Sequence, residues 1–308
     1  MATVTVQPKH NDQPTEITHS KQAWVIFLFH SKSTCYLIDT HKPETEIIVN
    51  EGDTYMSCVI ITGGSTGIGA AAVRKFASEG FDVAVLDVNV DAGTKLAEEE
   101  HKGSITFFQA DVSSKDGIKD AVDKAVEKLG PPTILFANAG IQRLSSLFDL
   151  KEEDVDAIIN INLKGAIYTV LAVATHMREQ KSGNIVLMGS DQAFVGKEGS
   201  IVYGATKGAV AQLTKSLSVE LTPLGIRVNA VCPATVKTPL TDGVFRFLAD
   251  KHFDGDIDAA WQAEADMLPI GRVAQPEEIA EVVYFLSQPT SSFMTGALVP
   301  VDGGLTAQ

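Results

Sequence analysis

The sequence predicts an α/β fold, a single doubly wound parallel sheet of about seven strands with helices on both faces. Three observations predict it. From Ser57 onward, short β-branched runs alternate with longer helix-like segments. A glycine-rich turn, T-G-G-S-T-G-I-G at residues 62–69, follows the first run and leads into the helix-forming A-A-A-V-R-K-F-A. An acid, Asp87, closes the second run.

The strands read at 58–62, 83–87, 104–108, 133–137, 184–188, 226–231 and 297–301. Several are apolar throughout rather than alternating, as strands covered on both faces must be. Helices read at 67–79, 91–101, 115–129, 153–180, 202–222 and 276–287, several bounded by a following Gly or Pro. One domain over 56–308 accounts for all of these elements. Residues 1–55 do not join the pattern, with a polar start, a short apolar run at 24–29 and an acidic stretch before Met56. We expect an appended or alternatively started segment there, and a chain that folds from Met56. An ordinary N-terminal hairpin is the plain alternative.

Composition narrows the function classes. With 308 residues, 44% of them hydrophobic and 21% charged, the chain has the make-up of a globular protein. A formal charge of −14 with no basic run opposes partnership with nucleic acid or an anionic membrane. Cys35, Cys58 and Cys232 have no close spacing, so neither a disulfide framework nor a zinc knuckle is expected, and a reducing cytoplasm fits. The apolar run at 24–29 is too short to span a bilayer and lacks the flanks of a signal peptide. Seven scattered histidines without H-E-x-x-H give no metal site.

The glycine turn points to a phosphate ligand. Strand, glycine turn and helix together let a phosphate approach backbone N–H groups at the positive end of a helix. No Gly-Lys-Ser/Thr follows, which disfavours a P-loop and leaves a Rossmann-like dinucleotide site. Asp87 stands 18 residues beyond Gly69, where a dinucleotide fold places an acid on the adenosine ribose hydroxyls. Its charge would repel a 2′-phosphate, and no Lys or Arg occurs in 63–69 or 88–90, so NAD is expected over NADP. A solvated strand-end acid is the alternative. A methyltransferase using S-adenosylmethionine shares the loop and the acid, so the rest of the chain must decide.

Tyr203 and Lys207, in Y-G-A-T-K, stand at i and i+4 and share one helix face. An ammonium beside a phenol favours phenolate and makes the tyrosine a proton donor and acceptor nearer neutral pH. Methyl transfer has no use for such a pair, whereas hydride transfer to a carbonyl needs a proton delivered to oxygen at the same site.

Taken in order, the glycine turn, Asp111-Val112, N-A-G at 138–140, I-N-L-K-G around Asn162, Ser190 and Y-G-A-T-K resemble the short-chain dehydrogenase/reductase family over residues 57–308. The resemblance implies roles. Gly63, Ser65, Thr66, Gly67, Ile68 and Gly69 would cradle the cofactor, Asp111 and Val112 would lie near its adenine, and Asn138, Ala139 and Gly140 beneath it. Tyr203 would be the general acid/base, Lys207 would lower its pKa and bind the nicotinamide ribose, and Ser190 would hold the substrate oxygen. Asn162 would help hold a water that links Lys207 to solvent; a helix-interior Asn bonded locally to backbone is its alternative. In C-P-A-T-V-K-T-P-L, Pro233, Val236 and Thr238 would meet the nicotinamide end. Ala234 stands where glycine is usual and would be strained if the loop needs positive φ.

The segment at about 239–268 would close over the substrate. Its seven acids against two Lys/Arg argue against a highly anionic substrate and toward a neutral alcohol or ketone, sugars and polyols included, unless they are only a solvated face. Gln192 and Arg143 are candidate substrate contacts. The resemblance also implies a homo-oligomer, dimer or tetramer, assembled through helices 153–180 and 202–222. Two other functions compete: a cofactor-binding regulator without turnover, and an NADP-dependent 3-oxoacyl-thioester reductase. Because Asn162, Ser190, Tyr203 and Lys207 are all present, an enzyme is expected.

Overall fold

A computed structural model describes residues 58–308 and three strands of the N-terminal part, β1 (Leu28–Phe29), β2 (Cys35–Asp39) and β3 (Lys42–Ile47). Those three form an antiparallel sheet in the order β1-β2-β3. Met1–Tyr55 and Met56–Gln308 are two compact units. Most of the apolar run at 24–29 lies outside the described residues.

In the second unit seven parallel strands build one sheet: β4 (Cys58–Thr62), β5 (Asp82–Asp87), β6 (Ile105–Gln109), β7 (Pro132–Ala137), β8 (Gly183–Met188), β9 (Ile226–Pro233) and β10 (Leu298–Val301). Their order, β10-β9-β8-β7-β4-β5-β6, reverses direction between β4 and β7. At such a switch point the connections leave toward opposite faces and a crevice opens at the carboxyl ends of the strands.

Helices cover both faces. Along β4, Cys58 and Ile60 face one layer while Val59 and Ile61 face the other. The first layer holds α3 (Lys115–Leu129), α5 (Gly165–Gln180) and α6 (Ile201–Leu221); the second holds α1 (Gly67–Ser78) and α9 (Pro276–Ser287). Phe76 of α1 and Phe136 of β7 are fully buried. Each contributes about 1.5–3 kcal/mol of apolar burial. Between β5 and β6 runs α2 (Val90–Ala97), which stops short of the expected residue 101 because the N–H groups of Glu98 and Glu99 turn to Lys95 O at 3.3 Å and Leu96 O at 3.2 Å, three residues back instead of four.

The expected helix at 153–180 is interrupted. It begins as α4 (Glu152–Ile158), widens into a π-helical turn at Ile159–Lys164 and resumes as α5. Apolar periodicity does not distinguish a π turn from α-helix, and such turns concentrate at functional sites. Glu152–Gln180 is long and apolar enough to cross a membrane. Val170, Val173 and Met177 instead lock α5 into the core. The region expected to close over the substrate forms two helices, α7 (Pro239–His252) and α8 (Ile257–Met267), joined face to face by Phe245 stacked on Trp261 at 3.9 Å.

Candidate active site

A cleft of about 870 Å³ opens at the carboxyl ends of the strands, bounded on one side by α7 and α8. Its size is at the upper end of the roughly 300–1,000 Å³ typical of small-molecule sites.

The glycine turn forms the floor at the switch point. Gly63 has φ +61°, and a Cβ there would meet Ala139 Cα at 2.7 Å, so neither backbone angle nor space admits a side chain. Asn138 ties the turn down through Nδ2, which donates to Thr62 O at 3.1 Å and Gly63 O at 2.8 Å. Thr66 stands at the N-cap of α1, yet its side chain caps no first-turn N–H. Those N–H groups therefore remain available to an anion at the positive end of the helix.

Asp87 ends β5 with Oδ2 accepting from Ser65 N at 2.9 Å and Oδ1 from Asn89 N at 2.9 Å. The acid is thus fixed over the glycine turn, with lone pairs left for further donors. Asp111 receives the Ser113 N–H at 2.9 Å, and Val112 packs beneath it in the cleft wall. Asn138, Ala139 and Gly140, after β7, line the same wall, as do Gly63, Thr66, Gly67 and Ile68, after β4. Ser65 and Gly69 stand behind it. Ser65 reaches Asp87 through its N–H, and its buried Oγ has no hydrogen-bond partner.

On the opposite side, β8 delivers Ser190 and α6 delivers Tyr203 and Lys207, all three lining the cleft. Lys207 is buried, its Nζ donating to Met188 O at 2.8 Å and lying 5.3 Å from the centre of the Tyr203 ring. Loss of hydration lowers its pKa to about 8, while Cys232 pulls it upward. The expected lowering of the tyrosine does not hold in this structure. Burial pushes the Tyr203 phenol up to about 12; a hydrogen bond with Ser190 draws it down, and the Asp191 carboxylate adds to the rise. Desolvation of the phenol outweighs its neighbours, and the ammonium meant to oppose it is itself turned to a backbone carbonyl. Burial thus favours the neutral form of the Tyr203 phenol.

Asn162 sits in the π turn, buried and off the cleft wall. Its Oδ1 accepts from Ile141 N at 2.8 Å and its Nδ2 donates to Ile141 O at 2.9 Å. This is a long-range clasp on the loop after β7 rather than the local backbone bond of a helix-interior Asn. Pro233, Val236 and Thr238 line the cleft where β9 leads into α7. The Thr238 side chain accepts from Thr241 N at 3.3 Å and starts α7. Ala234 is not among the described residues with positive φ, so the missing glycine brings no left-handed strain.

Arg143 departs from expectation. Gln142 and Leu144 line the cleft but Arg143 does not, because its guanidinium pairs with Asp154 of α4. Gln192 is on the wall, with its Oε1 buried and unpartnered. Sequence reasoning missed three charges at the substrate end. Asp191 accepts the Ser190 hydroxyl at 2.7 Å on Oδ1 and meets Lys197 Nζ at 2.9 Å on Oδ2; Lys197 in turn lies 3.4 Å from Glu264 of α8. The one available signal was the adjacency of Asp191 to Ser190.

The residues present fit a nicotinamide dinucleotide: uncapped N–H groups of α1 for a pyrophosphate, Asp87 for a ribose, and a phenol, a serine hydroxyl and an ammonium gathered at the far end. Fold and site together define an oxidoreductase of alcohol and carbonyl groups. The sequence profile described as enoyl-(acyl carrier protein) reductase matches residues 63–306. A 3-oxoacyl-[acyl-carrier-protein] reductase of Thermotoga maritima is 38% identical over 249 residues, covering 80% of this chain and 96% of its own. The meso-2,3-butanediol dehydrogenase of Serratia marcescens is 34% identical over 249 residues, with 81% and 94% covered. Among solved structures, NAD+-bound xylitol dehydrogenase aligns with TM-score 0.77 and 30% identity over 82% of this chain and 100% of that one. The chain belongs to the short-chain dehydrogenase/reductase family.

Proposed function

We propose that the protein is an NAD-linked dehydrogenase/reductase of a small neutral alcohol and its ketone, with Tyr203 as general acid/base. The observation that carries this reading is one cleft holding Asp87 at one end and Ser190, Tyr203 and Lys207 at the other. A bound NAD or NADH supplies the hydride acceptor or donor. Tyr203 gives its proton to the substrate oxygen in reduction and takes it in oxidation. Ser190 orients that oxygen, and Lys207 holds positive charge beside the phenol. Asn162 positions the loop after β7 through its two hydrogen bonds to Ile141.

NAD is favoured because Asp87 is the charge nearest the glycine turn, and the cations Lys197 and Lys207 in the cleft wall belong to segments following β8 rather than β5. Calorimetry with NADH and NADPH tests this reading, and tighter binding of NADPH would refute it. The identity with a 3-oxoacyl-[acyl-carrier-protein] reductase favours a second reading, reduction of an acyl thioester. Asp191, Glu198 and Glu264 in the cleft oppose an anionic carrier. Turnover only on an acyl thioester would decide for the second reading.

Ile167 and Leu171 of α5 and Val219 of α6 are exposed, which supports a homotetramer built on these helices. Light scattering of the full chain tests it. The buried free thiols Cys58 and Cys232 support a cytoplasmic location, testable by fractionation.

A further inference from the structure

We propose that Lys197 and Glu264 form a hydroxyl-reading pair that selects polyhydroxylated substrates, sugars or polyols, over monohydric alcohols. The inference deepens the proposed function and rests on it. Lys197 follows the loop after Ser190, whereas Glu264 comes from α8, so the pair joins the wall that carries the catalytic serine to the helices that cover the substrate. Both line the cleft. Their side chains are 29% and 12% exposed, so the Glu264 carboxylate is largely withdrawn from water and the Lys197 ammonium is half-buried.

The unused valences define the ligand. Of the three Lys197 protons, one is donated to Glu264 Oε1 at 3.4 Å, while the 2.9 Å approach of Nζ to Asp191 Oδ2 is an ion pair without hydrogen-bond geometry, so at least one proton is left. Glu264 Oε1 also accepts the Thr235 hydroxyl, while Oε2 receives no hydrogen bond from the described residues. A free donor thus stands beside a free acceptor, and on the same wall Gln192 Oε1 is buried without a donor. A hydroxyl group both donates and accepts, so it completes such a pair with one atom. A carboxylate or phosphate offers acceptors alone and would meet the charges of Asp191, Glu198 and Glu264. A hydrocarbon chain would leave the pair without water or ligand.

The link to the reacting carbon is short: Ser190 Oγ to Asp191 Oδ1 at 2.7 Å, then Asp191 Oδ2 to Lys197 Nζ at 2.9 Å. While Ser190 orients the reacting oxygen, the pair therefore meets a hydroxyl farther along the same small molecule. Two carboxylates keep Lys197 protonated against the pull of burial, so the donor persists through neutral pH.

The experiment measures kcat/KM of the full chain with NAD for xylitol and D-glucose against 2-butanol, cyclohexanol and 1-amino-2-propanol. A polyhydroxylated substrate should lead the monohydric alcohols by about 10–100-fold, the effect of one or two hydrogen bonds to charged groups. Glu264→Gln and Lys197→Met should each collapse that ratio, and Glu264→Asp should restore part of it. NADH affinity and melting temperature of each variant separate loss of recognition from loss of fold. Equal kcat/KM for both classes, a parallel fall for both in the variants, or preference for the amino alcohol would overturn the inference while leaving the NAD-linked reading intact. A chain that binds NADH yet oxidises none of these, nor reduces the matching ketones, would sink both.

Discussion

Replacing Gly69 by alanine tests whether the floor of the cleft is as tightly built as its geometry implies. The new Cβ would stand 2.0 Å from Gly63 O, 2.8 Å from Asn138 Nδ2 and 2.9 Å from Gly63 C. Comfortable contacts of this kind need roughly 3.5 Å, so α1 or the glycine turn must retreat by about an ångström or more. Gly63 O is the atom that Asn138 Nδ2 holds at 2.8 Å, so the retreat also breaks that hydrogen bond. Overpacking costs about 1–3 kcal/mol and the lost bond about 1 more. At roughly 2–4 °C per kcal/mol for a unit of this size, the melting temperature should fall by about 5–15 °C. NADH affinity should fall with it, by about tenfold or more, because the first-turn N–H groups move with the helix. Gly243→Ala is the control: that glycine is exposed within α7 and a Cβ there meets nothing within 4 Å. Removing a helix glycine should stabilise by about 0.5–1 kcal/mol. Differential scanning fluorimetry and NADH titration read both variants. A Gly69→Ala protein that melts and binds like the parent would refute the close approach on which the cofactor site depends.

Three further outcomes follow from the site. Tyr203→Phe should lower kcat by about 10²–10⁴-fold with NADH affinity retained, and single-turnover kinetics that match the parent would contradict the role of the phenol. Lys207 has a folded pKa of about 8 against an ordinary 10.5, so the unfolded chain binds more protons between those values and this group makes stability rise with pH there. Chemical denaturation at pH 7 and pH 10 should therefore show the parent gaining on Lys207→Met as pH increases; the opposite trend would mean the ammonium is not desolvated. Asp87→Ser should shift the NADPH-to-NADH affinity ratio upward by about 10-fold or more, and an unchanged ratio would show that the acid does not set cofactor choice. We also propose that Met56–Gln308 folds by itself, so a chain started at Met56 should bind NADH like the full chain; insolubility of that chain would overturn this.

The parts of the molecule legible in the sequence are those whose cause is local. Cys58-Val59-Ile60-Ile61 reads as a strand buried on both faces because every side chain is apolar, and it is buried on both faces. Gly63 reads as a tight turn because the chain must bend there with positive φ, and it does. Tyr203 and Lys207 share a face because 3.6 residues make a turn. What escaped is set by distance in space. Arg143 looks free to reach a substrate until α4 places Asp154 beside it, and Glu264 looks like one more solvated acid until α8 brings it to Lys197. The Tyr203 phenol shows the same division within a single residue. Helical spacing correctly puts a cation on its face, but the sign of its pKa shift depends on how much water the phenol and the ammonium each lose and on where the ammonium finds its acceptor. Here that acceptor is Met188 O, on the neighbouring strand, and burial prevails over charge. The neutral phenol that burial favours is loaded for carbonyl reduction, whereas alcohol oxidation draws on the phenolate form that burial opposes. The rate of oxidation should thus rise with pH while that of reduction holds through neutral pH, and pH profiles of kcat in the two directions check this.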